Sequence, residues 1–267
     1  MTEAEARALF PPGPPVAEGK SKTLYATARP DVCLMAFKPH ARSITARREE
    51  DVPSSDHWRL LATLEMLLHL EAHGVPTHLR HDRALARGGR LFLAVCPARP
   101  VPVEWIVRYE AAGSVVRLFP GLVRPGQRFD PPLFKYDYKQ DVQVAGVDDP
   151  TMNESYLVGL GLLDEPTLTL ARERLGAVGW LVRDRLRAAG MRLIDMKIEQ
   201  GFDPGGKLVV IDEVSQDCIR ACEGDSDRAL TKDLFRQLKS PEEVVSAYAE
   251  FARRLNPALE ERIWRID

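Results

Sequence analysis

The stretch MKIEQGFDPGGKLVVIDEVSQD, residues 196–217, constrains this chain more than any other. Ile194, Met196 and Ile198 fall on one face of a strand, and Asp195, Lys197 and Glu199 on the other, because side chains alternate with period two. Asp203-Pro204-Gly205-Gly206 joins a rigid entry to a permissive exit, so the strand turns back on itself and runs out to Asp212-Glu213. The hairpin predicts Asp212 close to Lys197 or Glu199, within a residue or two of register. Two carboxylates at that separation repel unless a cation lies between them. A hard divalent ion such as Mg2+ suits their oxygens, and Lys197 beside them can hold a phosphate. On spacing alone, a solvated hairpin face with a surface salt bridge is the commoner outcome.

The chain has 267 residues, enough for one large core or two lobes in one unit. A formal net charge of -2 argues against general nucleic-acid binding, which wants a basic footprint. The apolar runs are too short to span a bilayer, and the acidic, proline-broken start MTEAEARALFPPGPP is not patterned as a signal peptide. Four cysteines do not make a disulfide framework and point to a reducing cytoplasm. Cys218 and Cys222 lack a second ligand pair, so buried thiols are expected there rather than zinc. His69 and His73 are an i, i+4 pair without the glutamate of a H-E-x-x-H site, and a solvated helix face is expected.

KSKTLYA and VCLMAF read as a first strand pair, and SSDHWRLLATLEMLLHLEAHG as a helix with Leu60, Leu61, Leu64, Leu67 and Leu68 as its stripe. RLFLAVCP is a strand, ARPVPVE a proline-punctuated crossing, and VEWIVRY a further strand. Residues 165–189 form a long helix ended by Gly190, and PEEVVSAYAEFARRL a last one. Strands come early, and helices with a second sheet come late. This order predicts an α+β chain of two lobes with a cleft between them.

EGKSKTLY, HGVPTH, VPVEWIVRYEAAGS, PPLFKYDYKQD, DDPTMNESY and LIDMKIEQGFDPGGKLVVIDEVSQDCIR stand together in this order. The chain thereby resembles the phosphoribosylaminoimidazole-succinocarboxamide synthases, or SAICAR synthetases, over nearly all its length after the Pro-rich start. The resemblance implies an ATP-dependent ligase of purine biosynthesis that joins the carboxylate of carboxyaminoimidazole ribotide to the amine of aspartate. It also implies a two-lobed α+β fold, distantly similar to protein and inositol-phosphate kinases, with MgATP in the cleft. Residues 1–100 would form a mainly antiparallel lobe with one helix, and residues 101–267 a lobe carrying the acceptor and metal residues.

The same resemblance assigns roles. Gly19 would admit close backbone approach, and Lys20 or Lys22 would neutralise triphosphate charge; a solvated strand end is the plain alternative for the two lysines. Lys197, Glu199 and Asp212 match the catalytic Lys-x-Glu and Asp-Glu, with Glu199 and Asp212 as Mg2+ ligands and Glu199 and Lys139 as nucleotide contacts. Arg108, Ser114 and Arg220 match the positions that hold the ribotide, where a guanidinium's planar fork suits a phosphate. Lys139 and Asp141 match a Lys-x-Asp, and Asn153 and Glu154 an Asn-Glu. The expected partners are ATP, a phosphorylated ribotide and an amino acid, with room left for a homodimer.

The resemblance breaks in KPHARSITARREEDVPSSDHWRLL. His40 stands where the family has an acidic residue, the glycines are missing, and Ser55-Asp56 replaces a Lys-Gly that precedes paired asparagines. CIRACEGD replaces an Arg-Leu-Trp-Asp, and VQVAGV is inserted after Asp141. A charged surface loop and a remodelled acceptor or amine pocket are both open readings. The second would suit a ligase of specialised nucleoside metabolism. A small-molecule kinase and a non-catalytic nucleotide-binding protein are the competing classes.

Overall fold

The computed structural model describes residues 1–43, 46–140 and 149–266. Asp141 and the insertion at residues 142–147 lie outside the described residues. The first sheet has six strands in the order Pro15–Glu18, Lys22–Tyr25, Cys33–Phe37, Arg90–Val95, Ala84–Arg87 and Ile263–Arg265. All pairings are antiparallel except the last, where Ile263–Arg265 lies parallel to Ala84–Arg87. A segment expected in the second lobe thus completes the first sheet. The helix Ser55–Ala72 packs on this sheet and on the helix Pro241–Leu255. A second, short helix, Glu3–Arg7, adds to the single one expected in the first hundred residues; Thr2 and Glu5 close a capping box on it.

The second sheet runs Thr151–Met152, Arg128–Tyr138, Val103–Glu110, Met191–Phe202, Leu208–Ile211. Ile219–Glu223 pairs with the first half of Met191–Phe202, and Arg99–Pro100 with its last two residues. Alternation gives this sheet two unlike faces. Trp105, Val107, Met196 and Ile198 are buried, on the side covered by the helix Glu165–Ala188, where a Cβ on Gly179 would stand 2.9 Å from a Val107 methyl. Trp105 meets Tyr136 edge-on, ring centres 5.2 Å apart, and its truncation to Ala would cost about 3–5 kcal/mol. The opposite face carries Glu104 and Arg108, Lys135 and Asp137, and Asp195, Lys197 and Glu199.

Residues 77–79 stitch the sheets together. Thr77 bridges to Val210 in parallel and Leu79 to Val95 antiparallel. The His78 amide donates to the Val210 carbonyl at 2.9 Å, and the Cys96 amide to the His78 carbonyl at 2.7 Å. One apolar core runs through both sheets. Among the described residues, no helix is long and apolar enough to cross a membrane.

Candidate active site

The hairpin forms by local chemistry. Asp203 Oδ1 accepts the Gly205 and Lys207 amides at 2.9 Å each, and Gly206 takes φ +79. This is an Asx-type turn with a glycine in the left-handed region. The register sets Glu199 opposite Ile211, so Asp212 lies one residue beyond it. Asp212 itself has φ +67, a conformation that Asp and Asn adopt more readily than other residues with a Cβ.

Asp212 and Glu213 meet a lysine from the first sheet. Lys22 Nζ is 3.0 Å from Asp212 Oδ2 and 2.6 Å from Glu213 Oε1. Its side chain is 12% exposed, so Lys22 is not a solvated strand end. Burial opposes its charge, but the Asp212 and Glu213 carboxylates outweigh that and raise its pKa. Lys20 is exposed and stays outside this cluster, as does Gly19, whose amide donates to the Lys22 carbonyl at 2.9 Å. Of the two expected lysines, the fold brings in Lys22.

Beside them, Lys139 Nζ lies 2.7 and 2.8 Å from the two oxygens of Glu199. Lys197 Nζ lies 3.6 Å from Glu199 Oε1 and pairs with Glu104. Burial would strip the proton from Lys197; Glu199 and Glu104 hold it on, and its pKa is raised well above the ordinary lysine range. Among the described residues, no cluster of three His, Cys, Asp or Glu side chains stands ready for a metal. Glu199, on its strand, and Asp212, just past the end of the neighbouring one, supply two hard oxygen donors. That fits Mg2+, which takes one or two carboxylates and completes its shell with phosphate oxygens and water.

A row of charges crosses the sheet at its other end. Arg108, Asp195 and Arg220 lie opposite one another on three adjacent strands. Asp195 Oδ2 receives Arg108 Nη1 at 2.8 Å and Arg220 Nη1 at 3.0 Å. Arg220 Nε also reaches Asp233 Oδ2 at 2.7 Å. A Cβ on Gly113, φ +61, would stand 3.0 Å from Arg220 Nη1, so this glycine lets the turn before Ser114 lie against the guanidinium. Ser114 opens the helix Ser114–Leu118. Two arginines and a serine turn at one end of the sheet can receive a phosphate. Asn153 and Glu154 have local work instead. Asn153 caps the helix Glu154–Gly159, and Glu154 accepts from Tyr136 and Arg172.

The divergent segment is no irregular loop over its described part. His40–Ser43 and Arg48–Asp51 form an antiparallel hairpin. His40 Nδ1 lies 3.0 Å from Asp51 and Nε2 3.1 Å from Glu49. Arg48 Nη1 donates to the Phe235 and Lys239 carbonyls at 3.1 and 2.7 Å, with its guanidinium 4.3 Å from the centre of the Phe235 ring. The strand alternation of HARS and REED is masked by charge, and cross-strand ion pairs hold it. The hairpin docks beside the helix Asp233–Arg236, which carries the Asp233 partner of Arg220.

Sequence reasoning missed Arg59, Asp195, Glu213, Asp217 and Lys232 as members of the site. Asp217 accepts Lys232 Nζ and Tyr248 OH at 2.7 Å each. The visible signal was DEVSQD, three acids in six residues that a soluble loop rarely buries.

A SAICAR synthetase family model matches residues 15–255. The chain belongs to the SAICAR synthetase family. The phosphoribosylaminoimidazole-succinocarboxamide synthase of Methanoculleus marisnigri is 32% identical over 237 residues, 89% of this chain and 92% of that protein. That of Lacticaseibacillus casei is 31% identical over 89% of this chain and 93% of its own length. Among solved structures, a SAICAR synthetase in complex with ADP superimposes with TM-score 0.79 at 28% identity, covering 90% of this chain and 97% of that one. The Ehrlichia chaffeensis synthase has the same fold, with TM-score 0.81 over 91% and 98% of the two chains at 23% identity. The charged residues of these motifs lie mainly on the polar face of the second sheet, with Lys139 and Lys197 at one end, where Lys22 of the first sheet joins them, and Arg108 and Arg220 at the other.

Proposed function

We propose that this chain is an ATP-dependent carboxylate–amine ligase that acts on a phosphoribosyl aminoimidazole-type carboxylate, with aspartate as the leading amine, as in purine biosynthesis. The observation that carries this reading is the polar face of the second sheet, which has Lys139, Glu199 and Asp212 at one end, met there by Lys22 of the first sheet, and Arg108 and Arg220 at the other. That face offers two anion-binding ends joined by Lys197, as a reaction between a triphosphate and a phosphorylated acceptor requires.

The nucleotide lies in a cleft between the two sheets, in a kinase-like manner, with its triphosphate towards Lys22 and Lys139. Lys139 is 49% exposed, so it can turn from Glu199 to phosphate, and Glu199 and Asp212 would then be the residues to hold Mg2+. When bound, Mg2+ supplies charge neutralisation for the triphosphate. Arg108, Arg220 and the Ser114 turn hold the ribotide phosphate. A carboxylate is a poor acylating group because oxide would have to leave. Transfer of the γ-phosphoryl to it makes an acyl phosphate; the amine then attacks the carbonyl and phosphate departs. The chain's own residues neutralise charge and align the partners, and no side-chain nucleophile is needed. The four cysteines are buried and free, which fits a reducing cytoplasm. A homodimer is the proposed assembly, supported by exposed Leu118, Phe119 and Leu122 and tested by light scattering.

Turnover with ATP and carboxyaminoimidazole ribotide, with and without aspartate, tests the reading through ADP release and product mass. ADP release without amine incorporation would indicate a kinase; no ADP release with any carboxylate would leave a binding protein. The hairpin His40–Asp51, docked beside Asp233, supports a second reading in which the amine or acceptor differs. Competition among amino acids, read by product mass, separates the two.

A further inference from the structure

Asp212, Glu213 and Asp217 fall within six residues, and each meets a cation from another element. Lys22 comes from the first sheet, Arg59 from the helix Ser55–Ala72, and Lys232 from the residue before the helix Asp233–Arg236. Arg59 is the centre of this set. Its Nη2 lies 2.6 Å from Glu213 Oε1, its Nε 3.1 Å from Glu213 Oε2 and 3.7 Å from Asp217 Oδ1. Its side chain is 1% exposed, so it touches neither solvent nor substrate.

Glu213 is saturated. Oε1 takes Lys22 Nζ and Arg59 Nη2, and Oε2 takes Arg59 Nε and the Ser215 hydroxyl. Those four donors fill the four lone-pair sites of a carboxylate. Asp212, next along the chain, accepts Lys22 alone among the hydrogen bonds of the described residues. The two neighbouring acids are thus unlike: Glu213 is spent inside the protein, while Asp212 keeps sites for a ligand. Without the guanidinium, a buried Glu213 would have one cation left, Lys22, and would bind it more tightly.

We propose that Arg59 is a positioning residue of the nucleotide site. By taking one site on each Glu213 oxygen, it weakens the hold of Glu213 on Lys22 and leaves more of that lysine's charge to Asp212 and to the incoming triphosphate. The inference rests on the nucleotide reading of Lys22 and Asp212 given above. It predicts a charge-balance effect and not only a packing effect. Neutralising Glu213 should therefore undo the loss of Arg59.

Calorimetric titration with MgADP tests it on wild type, Arg59→Met, Glu213→Gln and the Arg59→Met/Glu213→Gln pair, beside KM values for ATP and acceptor. Arg59→Met should weaken MgADP at least about tenfold and raise the KM for ATP, with the acceptor KM within about twofold, and the pair should return to within about threefold of wild type. Equal MgADP affinity in folded Arg59→Met, or a loss that the pair does not restore, overturns the inference. So does a rise in both KM values together, the mark of a structural role. If Arg59→Met does not fold, Arg59→Lys keeps the charge and loses the fork; an intermediate loss of affinity supports the inference and an unchanged affinity overturns it. A wild-type chain that binds no MgADP fails earlier: that result overturns the nucleotide reading itself, and this inference with it.

Discussion

Lys22 Nζ lies 3.0 Å from Asp212 Oδ2, although 190 residues separate the two in the chain. The contact joins the second strand of the first sheet to the end of the hairpin in the second. It exists because residues 77–79 fasten the sheets to each other, which fixes where a strand of one faces the other. A surface pair of this kind would contribute little. Here both partners are largely withdrawn from water, and the arrangement is stable because neighbouring charges balance it.

Asp212→Asn removes the charge while keeping a residue that tolerates φ +67. Turnover should fall about a hundredfold or more, a loss comparable to removal of a principal electrostatic group from an active site. Lys22 keeps Glu213, so circular dichroism and the unfolding midpoint should stay close to wild type. Unchanged turnover would remove Asp212 from the site.

Arg220→Ala strips one of two guanidinium groups from Asp195 and leaves Asp233 with Arg236, at 2.6 Å. Steady-state kinetics should show the acceptor KM rising by about tenfold or more, the size of a lost charge-assisted hydrogen bond, with the KM for ATP nearly constant. Equal use of an unphosphorylated nucleoside by the wild-type chain would contradict this assignment.

His78 is buried, and among the described residues its Nε2 has no hydrogen-bond partner. Burial pushes its imidazole down to about 4. Between that value and the ordinary one of about 6.5, the unfolded chain binds a proton that the folded chain does not. The stability linked to His78 is therefore complete above about pH 6.5 and is lost as pH falls towards 4, on the order of 3 kcal/mol in all. Denaturant titrations from pH 7.5 to 4.5 should show a shallower pH slope for His78→Gln than for wild type. Parallel slopes would show that His78 does not titrate this way.

Gly201 sits where the crossing segment touches the long strand. A Cβ there would stand 2.8 Å from the Arg99 carbonyl oxygen and 3.1 Å from Pro100 Cα, both backbone atoms. Gly201→Ala should destabilise the chain by about 1–3 kcal/mol, read as a lower urea midpoint. A midpoint equal to wild type would mean that Arg99–Pro100 can move away freely.

The elements were legible because their causes are local. Alternation marked Val103–Glu110 and Met191–Phe202, Asp203 and Gly206 marked the turn, and Ser240 with Pro241 marked the start of the last helix. The order of the motifs carried the family, and it named Lys197, Glu199, Asp212, Arg108 and Arg220 without any knowledge of contacts. Local signals could not choose between Lys20 and Lys22, two residues apart at the start of one strand; Lys22 begins the strand and is carried to Asp212 and Glu213, while Lys20 stays exposed before it.

The sequence by itself determined the longer helices, the strands with clear alternation, the hairpin turn and the chemistry available on its polar face, because each depends on spacing within a few residues. Only the tertiary structure decided which charges meet. Arg59 reads in sequence as a polar residue at the start of a helix, yet the fold buries it against Glu213, 154 residues away. His40–Asp51 reads as a charged loop and pairs as a hairpin, and Ile263–Arg265 crosses back to the first sheet. The physical reason is the same in each case. The free energy of a buried charge or an added strand depends on the partner that packing brings to it, and that partner lies far away along the chain.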